Sequence, residues 1–375
     1  MNTIKKTITA YVPGNMCNLR CNYCYVTECF RKNHLDSAHF NYPVEHMIKA
    51  FSPERIGGGK EELAHIVVIG GGETLIPSEV IPFVKGLLAQ GHIVELVTNA
   101  TLNDRIEELL NLSPKDLERL IVKCSLHWNE LKKLNKLEDY FSNIKKILSA
   151  GASAYPFLTI SPEYVDSLEE IRDVCLHEIG ALPHCTPCVI TDTKEAALAG
   201  GKYATNPVCT QAFIEKIESL FHSKVFEWSV KFLDIDVKTL FCYAGKWSFG
   251  VNLGNGDMTK CHNVPLNYNF FENIEEPIVY EEIGCECGIA SCSLQYDMFS
   301  MGLIPSIENV PTYTELVCDR ESLFTKKVRT MMNIKLYDNE HILSEKEENL
   351  FLKKRIHSKN NQINALKNKI SLQNK

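Results

Sequence analysis

Six short apolar runs alternate with six helical patterns over the first 225 residues, and this alternation restricts the fold more than any other feature of the sequence. The predicted strands are residues 7–12, 65–69, 93–98, 120–126, 155–160 and 185–191. The predicted helices are residues 43–51, 78–90, 101–111, 128–149, 163–179 and 207–222. Six strand–helix units in a row predict a parallel sheet with crossover helices, either an open doubly wound sheet or a full or partial barrel.

The loops that follow the predicted strands carry unusual residues. In parallel α/β folds the chemistry sits on the loops that leave the carboxyl ends of the strands. The first such loop holds Cys17, Cys21 and Cys24, and the next three read "GGGETLIP" (70–77), "TNATL" (98–102) and "SLHW" (125–128). We therefore predict an active-site face at this end of the sheet.

Composition and charge narrow the class of protein. The chain has 375 residues, 15 cysteines and a formal net charge of -7, so we expect no extended nucleic-acid surface. The first residues show no signal-peptide pattern, and no run of apolar residues is long enough to predict a transmembrane helix. Many cysteines without an export signal indicate reduced thiols, and we expect a cytoplasmic protein without membrane contact.

Three cysteines spaced Cys-x3-Cys-x2-Cys offer three thiolates on one short loop. Thiolates bind both zinc and iron–sulfur clusters, but structural zinc usually closes all four positions with paired knuckles. A 4Fe–4S cluster held by three thiolates leaves one iron open to another molecule. Cys29, five residues later, is an alternative fourth ligand.

The stretch "CNLRCNYCY" resembles the CxxxCxxC signature of the radical S-adenosylmethionine (SAM) enzymes, and "GGGETLIP" resembles their GGE motif. The resemblance implies a partial (β/α)6 TIM-like barrel with a 4Fe–4S cluster on the three cysteines. It further implies that the open iron binds the amino and carboxylate groups of SAM. Gly71 and Gly72 would let the backbone approach the SAM ammonium, and Glu73 would accept a hydrogen bond from it.

The same resemblance implies weaker cofactor contacts. Tyr23 would pack near the adenine, and Ser125 would contact the ribose. Thr98 and Asn99 resemble the "TNG" of the subgroup that modifies peptides and proteins, although Ala100 stands where that motif has glycine. Capping of the next helix is the alternative role for these polar residues. His127 and Trp128 lie on the same face, either near the substrate or in the core.

A second group of cysteines lies in residues 236–310. "CYAGKWSFGVNLGNGDMTKC", from Cys242 to Cys261, resembles the opening of the SPASM and twitch domains that hold auxiliary clusters, and "GCECGIASC" adds Cys285, Cys287 and Cys292. The spacing departs from a full SPASM domain. We therefore expect one auxiliary 4Fe–4S cluster, bound by Cys242, Cys261 and two of the last three cysteines, with structural zinc as the alternative.

These patterns divide the chain into a radical SAM core (1–235), an auxiliary cysteine-rich α+β domain (236–310) and a helical, partly basic tail (311–375). In the family, an electron from a donor such as flavodoxin or ferredoxin leads to SAM cleavage and a 5′-deoxyadenosyl radical that abstracts hydrogen. The C-terminal resemblance predicts a maturase-like enzyme acting on a peptide or protein. The alternatives are a small-molecule substrate and, from another class, a non-catalytic zinc-binding or redox-sensing protein. No residue is singled out as catalytic.

Overall fold

The computed structural model describes residues 4–24, 39–190, 204–205, 210–233, 235, 240–261, 264–280, 285–286, 292, 295–336 and 353. Residues 1–336 form one compact unit and residues 337–375 form another. The fold described below belongs to the first unit.

Six parallel strands form the centre of the fold, as the sequence predicts. They are β1 (Ile4–Val12), β2 (Leu63–Gly70), β3 (Ile93–Thr98), β4 (Leu120–Ser125), β5 (Ser153–Ile160) and β6 (His184–Pro187). They lie in sequence order, each hydrogen-bonded in parallel to the next. This arrangement is the parallel sheet of a partial TIM-like barrel, so the predicted fold class is confirmed.

The sheet continues beyond β1 with residues from the second cysteine-rich region. β10 (Ser248–Asn252) pairs in parallel with β1, and β11 (Asp257–Cys261) and β12 (Val264–Asn269) follow in antiparallel order. The turn between β10 and β11 contains Gly256 at φ +81°, where an added Cβ would meet Asn269 Oδ1 at 2.1 Å. Glycine is needed at this turn for both conformation and space. The stretch "GNGD" thus forms the turn of a hairpin, and this hairpin joins the central sheet directly.

Helices pack on both faces of the sheet, and two of them, Gln295–Ser300 and Tyr313–Leu316, carry tyrosines that contact the inner face. The helices are Val44–Ala50, Pro53–Ile56, Val80–Ala89, Asn103–Leu110, Pro114–Leu117, Trp128–Lys133, Leu137–Ser149, Leu168–Ile179, Gln211–Phe221, Lys224–Leu233, Gln295–Ser300, Tyr313–Leu316 and Lys326–Met331, with 3-10 turns at Pro162–Tyr164 and Glu321–Leu323. The predicted helix 128–149 is interrupted because Asn135 adopts φ +54°. Lys136 N–H donates back to the Leu131 carbonyl (2.8 Å), which ends the first helix in a left-handed cap.

Short strand pairs complete the described structure. β7 (Val189–Ile190) pairs with β8 (Ala204–Thr205), and β9 (Phe241–Cys242) pairs with β13 (Cys285–Glu286), both antiparallel. The predicted strand 185–191 is therefore two strands, β6 and β7, with Cys188 between them. No helix among the described residues is long and apolar enough to cross a membrane.

The two faces of the parallel sheet differ in polarity. The outward residues Ile66, Val94 and Val122 are fully buried in the core with the helices. The opposite face carries Thr9, Lys123, Ser125, Thr159 and Thr186, all partly exposed. A polar, partly accessible inner face that ends at the carboxyl ends of the strands is the usual location of an active site in such folds.

Candidate active site at the carboxyl ends of the parallel strands

The first cysteine group lies on the loop after β1, residues 13–24, here called the cysteine loop. Cys17, Cys21 and Cys24 form no disulfide among the described residues, and each is partly exposed. Leu19, only 2% exposed, anchors the loop in the core, and its N–H donates to Cys17 Sγ (3.4 Å). Cys24 N–H donates to the Cys21 carbonyl (3.2 Å), so a tight turn places the second and third cysteines close together.

The three thiols lie within electrostatic reach of one another. Burial raises the pKa of Cys17, with the thiol of Cys24 adding to the effect. Burial also raises the pKa of Cys21 to about 12, and the neighbouring thiols of Cys24 and Cys17 contribute. Deprotonating several such thiols therefore requires a cation, which is the usual coupling between metal binding and thiol ionisation.

The donor set has the chemistry that a 4Fe–4S cluster requires. In such a cluster each thiolate binds a different iron atom, so the ligands surround a body larger than one ion. The described residues contain no group of three or more His, Cys, Asp or Glu side chains arranged to hold a single metal ion. Three neighbouring thiols on one loop, outside any disulfide among the described residues, fit the cluster that the sequence predicts.

The glycine turn, residues 70–73, packs directly on the cysteine loop. A Cβ at Gly72 would lie 2.0 Å from the Met16 carbonyl oxygen and 2.7 Å from the carbonyl carbon of Asn15. Glu73 N–H donates to the same Met16 oxygen (2.8 Å). Gly72 is thus required for close approach of two backbones, and the turn braces the residue that precedes Cys17.

The carboxylate of Glu73 points into the protein. It accepts hydrogen bonds from Thr98 Oγ1 (2.6 Å), from Asn99 N–H (2.7 Å) and from Leu75 N–H (2.9 Å). Burial raises the pKa of Glu73, although all three hydrogen bonds oppose the shift. The glycine turn is therefore joined to the end of β3. The direct contact of Glu73, Thr98 or Asn99 with SAM that the resemblance implies stays a prediction, as does that of Gly71.

Two polar residues near this junction were missed by the sequence analysis. Asn18 lies between the first two cysteines and exchanges hydrogen bonds with Asn99 and Thr101, each at 2.8 Å. Their positions in the sequence could have indicated a role at the site, because Asn18 lies inside the cysteine signature and Thr101 lies inside "TNATL". Amide and hydroxyl side chains on adjacent loops are natural hydrogen-bond partners.

Tyr23 belongs to an aromatic and histidine cluster at the opposite side of the cysteine loop. Its hydroxyl lies 2.6 Å from His127 Nδ1, and its ring contacts Tyr164 edge to face. Burial lowers the pKa of His127 to about 4, so the imidazole is neutral near pH 7, and it shares a hydrogen bond with the phenol through Nδ1. The structure thus brings Tyr23 and His127 together, with the ring of Tyr23 fixed from two sides.

The remaining candidates separate into surface and core. Ser125 ends β4 and is partly exposed on the inner face, where its predicted contact with the ribose stays a prediction. Trp128 is fully buried and belongs to the hydrophobic core. Cys185 and Cys188, which have CxxC spacing, are both buried, in agreement with packing residues.

Below the site, the inner face carries a charged network that the sequence analysis also missed. Glu95 on β3 accepts from His65 Nε2 (3.1 Å), Tyr155 (2.8 Å) and Tyr313 (2.7 Å). Burial by itself would raise the pKa of Glu95, but the hydrogen bond and charge of His65 outweigh it and lower the pKa to about 2. Lys123 lies over the Phe157 ring, 3.9 Å from its centre. A cation therefore lies on the inner face near the ionised carboxylate of Glu95.

A cavity of about 600 Å³ adjoins the glycine turn. Its volume lies in the range of small-molecule sites. The lining residues come from the cysteine loop, the glycine turn and the segments beside them: Val12, Pro13, Gly14, Met16, His39, Phe40, Gly70, Gly72, Glu73, Pro77, Ser78 and Glu79.

The second cysteine group is only partly described. Cys242 and Cys285 are direct partners in the β9–β13 pair, so two of the predicted ligands, 43 positions apart in the sequence, are brought together. Cys242, Cys261 and Cys292 are partly exposed and form no disulfide among the described residues. Cys287 lies outside the described residues, as does Cys29. The ligand set of an auxiliary cluster therefore stays a prediction.

The parallel strands and the thiols at their carboxyl ends define a class, an α/β barrel with a thiolate-rich site above the sheet. Residues 11–175 match the sequence model of the radical SAM superfamily. The chain contains a radical SAM domain. In this family a 4Fe–4S cluster and SAM are the cofactors, so the prediction of these two cofactors is supported.

The solved structure of SuiB supports this fold. SuiB of Streptococcus suis bound to S-adenosylmethionine is 12% identical, with 73% of this chain and 65% of the SuiB chain covered, at a TM-score of 0.50. This chain thus spans about two thirds of SuiB. anSMEcpe with bound AdoMet is 13% identical over 95% of this chain and all of its own, at a TM-score of 0.47. At these identities the likeness shows the fold alone. Comparison with curated proteins gives no match.

Proposed function

We propose that this protein is a radical SAM enzyme that acts on a peptide or protein substrate. The observation that carries the proposal is the junction of the cysteine loop and the glycine turn at the carboxyl ends of β1 and β2. Gly72 and Glu73 contact Met16 directly, next to the first of three neighbouring thiols. The cysteine loop and the glycine turn, which carry the two motifs of the family, are thus in contact in three dimensions, although they lie far apart in the sequence.

Cys17, Cys21 and Cys24 would hold the 4Fe–4S cluster. The cavity of about 600 Å³ beside the glycine turn supplies space for a molecule of the size of SAM. When bound, the cluster and SAM together supply a 5′-deoxyadenosyl radical that abstracts a hydrogen atom from the substrate. The chain holds the cysteine loop in place and fixes the Tyr23 ring against His127. It also surrounds the space on the inner face of the sheet. Enclosure protects a radical from water and from stray hydrogen donors.

The peptide substrate rests on the resemblance of residues 242–292 to auxiliary-cluster domains of peptide and sulfatase maturases. SuiB, which has the same fold, has also been solved bound to the precursor peptide SuiA. That binding is a property of SuiB and motivates the substrate class here. A one-electron donor such as flavodoxin or ferredoxin belongs to the same proposal.

An auxiliary 4Fe–4S cluster is the other element of the proposal. The cross-strand pairing of Cys242 with Cys285 supports it, because it brings the backbones of two predicted ligands side by side. Cys261 ends β11 in the adjoining sheet. Together with Cys287 or Cys292 these residues would complete four ligands.

Iron analysis of anaerobically reconstituted protein tests the two sites separately. With two clusters, the wild type binds about eight iron atoms and eight sulfides per chain. A variant with Cys17, Cys21 and Cys24 all changed to alanine retains about four, and the double variant of Cys242 and Cys261 also retains about four. If the second variant keeps the full iron content of the wild type, the auxiliary cluster is refuted.

Hydrogen abstraction is tested with isotopically labelled substrates. Deuterated peptides incubated with reconstituted enzyme, SAM and a reductant are expected to transfer deuterium into 5′-deoxyadenosine, measured by mass spectrometry. A library of short peptides, including precursor-like peptides encoded near this protein, provides the candidates. Deuterium transfer from a small metabolite but from none of these peptides would refute the substrate class while leaving the radical SAM activity in place.

A further inference from the structure

Asn18 is held by a closed ring of hydrogen bonds that connects the cysteine loop to the end of β3. Asn18 Nδ2 donates to Thr101 Oγ1 (2.8 Å), which donates to Asn99 Oδ1 (2.6 Å). Asn99 Nδ2 donates in turn to Asn18 Oδ1 (2.8 Å). Each of the three side chains therefore both donates and accepts within the ring.

The direction of this ring is fixed by the backbone. Thr101 N–H also donates to Asn99 Oδ1 (3.2 Å), so that atom must be an acceptor. The amide nitrogen of Asn99 therefore faces Asn18, and the oxygen of Asn18 faces Asn99. Asn99 and Thr101 are each 3% exposed, so the hydrogen bond between them is shielded from water, whereas Asn18 is exposed and its two hydrogen bonds are part-buried.

A second chain of contacts reaches the other side of the same cysteine. Asn99 N–H donates to Glu73 Oε2 (2.7 Å), and Glu73 N–H donates to the Met16 carbonyl (2.8 Å). Met16 and Asn18 are the two residues that flank Cys17. The backbone on both sides of this cysteine is thus tied to the ends of β2 and β3.

We propose that Asn18, Asn99 and Thr101 are positioning residues that clamp Cys17 in the geometry of a cluster ligand. The proposal rests on the proposed function in one respect, namely that Cys17 binds the catalytic 4Fe–4S cluster. Residues that orient a metal ligand from outside the coordination sphere change metal affinity or activity about 10- to 100-fold when mutated. The clamp would act on the first cysteine in particular, because its contacts surround residue 17.

The cysteine loop offers a matched control. Asn22 lies in the same loop between Cys21 and Cys24 and is exposed, and the described structure gives its side chain no hydrogen bond. Asn18→Ala removes the clamp, whereas Asn22→Ala removes a similar side chain outside it. At Thr101, Ser keeps the hydroxyl and Val removes it at nearly the same volume.

The test uses full-length reconstituted protein without SAM or substrate. Cluster loss to an excess of iron chelator is followed by visible absorption. We expect Asn18→Ala and Thr101→Val to lose the cluster about 10-fold faster than the wild type. Asn22→Ala and Thr101→Ser should match the wild type, with melting temperatures of all metal-free variants alike. Equal rates for Asn18→Ala and Asn22→Ala would overturn the clamp.

A second measurement separates the clamp from the proposed function. In the metal-free full chain, Asn18→Ala should raise the alkylation rate of Cys17 relative to that of Cys24, as measured by peptide mass spectrometry, and Asn22→Ala should leave the ratio unchanged. An unchanged ratio in Asn18→Ala contradicts the clamp. If the ratio changes as expected but the wild type binds no iron–sulfur cluster, the clamp stands and the proposed function fails.

Discussion

Gly72→Ala tests whether the glycine turn supports the cysteine loop. The added Cβ would lie 2.0 Å from the Met16 oxygen, whereas ordinary contact begins near 3.4 Å. Because the obstacle is backbone, no side chain can rotate away, and the two loops must separate by more than 1 Å. Overpacking of this kind costs about 1–3 kcal/mol, and loss of the hydrogen bond from Glu73 N–H to Met16 adds about 1 kcal/mol.

The same separation moves Cys17, which follows Met16 directly. We expect Gly72→Ala to lower the melting temperature of the metal-free protein by several degrees and to reduce iron retention about 10-fold or more, in keeping with displaced ligand geometry. Calorimetry and iron analysis after desalting measure the two effects. SAM cleavage should fall at least in proportion to the iron content.

Gly70→Ala is the matched control, two residues earlier in the same glycine run. Its added Cβ would meet nothing closer than 3.4 Å, and Gly70 is not in a left-handed conformation. This variant should resemble the wild type in stability and iron content. If Gly72→Ala behaved like Gly70→Ala, the supporting contact between the glycine turn and the cysteine loop would be wrong.

Three further substitutions test the surroundings of the site. Glu95→Gln removes a buried carboxylate that accepts hydrogen bonds from His65, Tyr155 and Tyr313, and it should lower the free energy of unfolding by about 1–3 kcal/mol, measured by denaturant unfolding. The pKa of Glu95 is lowered to about 2 in the folded protein, so the contribution of its ionised carboxylate to stability is complete above the unfolded pKa of about 4 and is lost as the pH falls toward 2. The difference in unfolding free energy between wild type and Glu95→Gln should therefore narrow from about pH 4 to about pH 2. A constant difference would contradict the lowered pKa of Glu95. Arg55→Met should lower stability by about 3 kcal/mol or more, because this buried guanidinium donates to the Ala50 and Phe270 carbonyls, and a neutral effect in thermal melts would show that they find other donors. Ala100→Gly should change the unfolding free energy by less than about 1 kcal/mol, since relief of the left-handed φ of +55° offsets the lost buried methyl group; destabilisation well beyond that would show that the Ala100 methyl matters more than backbone strain.

The central sheet was predictable because its signals are local. Buried parallel strands read as β-branched apolar runs, and β3 has the bounds that the sequence predicts, Ile93–Thr98. The helix pattern of residues 128–149 failed at Asn135, where a left-handed residue ends one helix before the next begins. A single asparagine inside a strong amphipathic pattern gives too weak a signal to show that break.

The attachment of β10 to β1 was not predictable. Nothing in Ser248–Asn252 distinguishes a strand of a separate small domain from one that extends the barrel sheet. The pairing depends on the edge that β1 leaves open, which is a property of the whole fold. Local motifs predicted the hairpin, but its partner strand lies more than 230 residues away.

At the site, the sequence identified the residue types but not their partners. The contact of Glu73 with a SAM ammonium stays a prediction, and the sequence did not indicate that the same carboxylate accepts hydrogen bonds from Thr98, Asn99 and Leu75 within the protein. The role of Asn18 was not predictable from the sequence, because it depends on the spatial distance to Asn99, 81 positions away. Contacts between loops of different strands follow from strand register, which a single sequence does not specify.

Anaerobic cleavage of SAM tests the central claim most directly. Reconstituted wild-type protein with SAM and a strong reductant should release 5′-deoxyadenosine and methionine in equal amounts, quantified by liquid chromatography and mass spectrometry. Cys24→Ala should abolish this release, whereas Cys175→Ala, which removes a buried thiol from the helix Leu168–Ile179, should retain it. Release of 5′-deoxyadenosine by Cys24→Ala at the wild-type rate, or none from a fully iron-loaded wild type, would contradict the account.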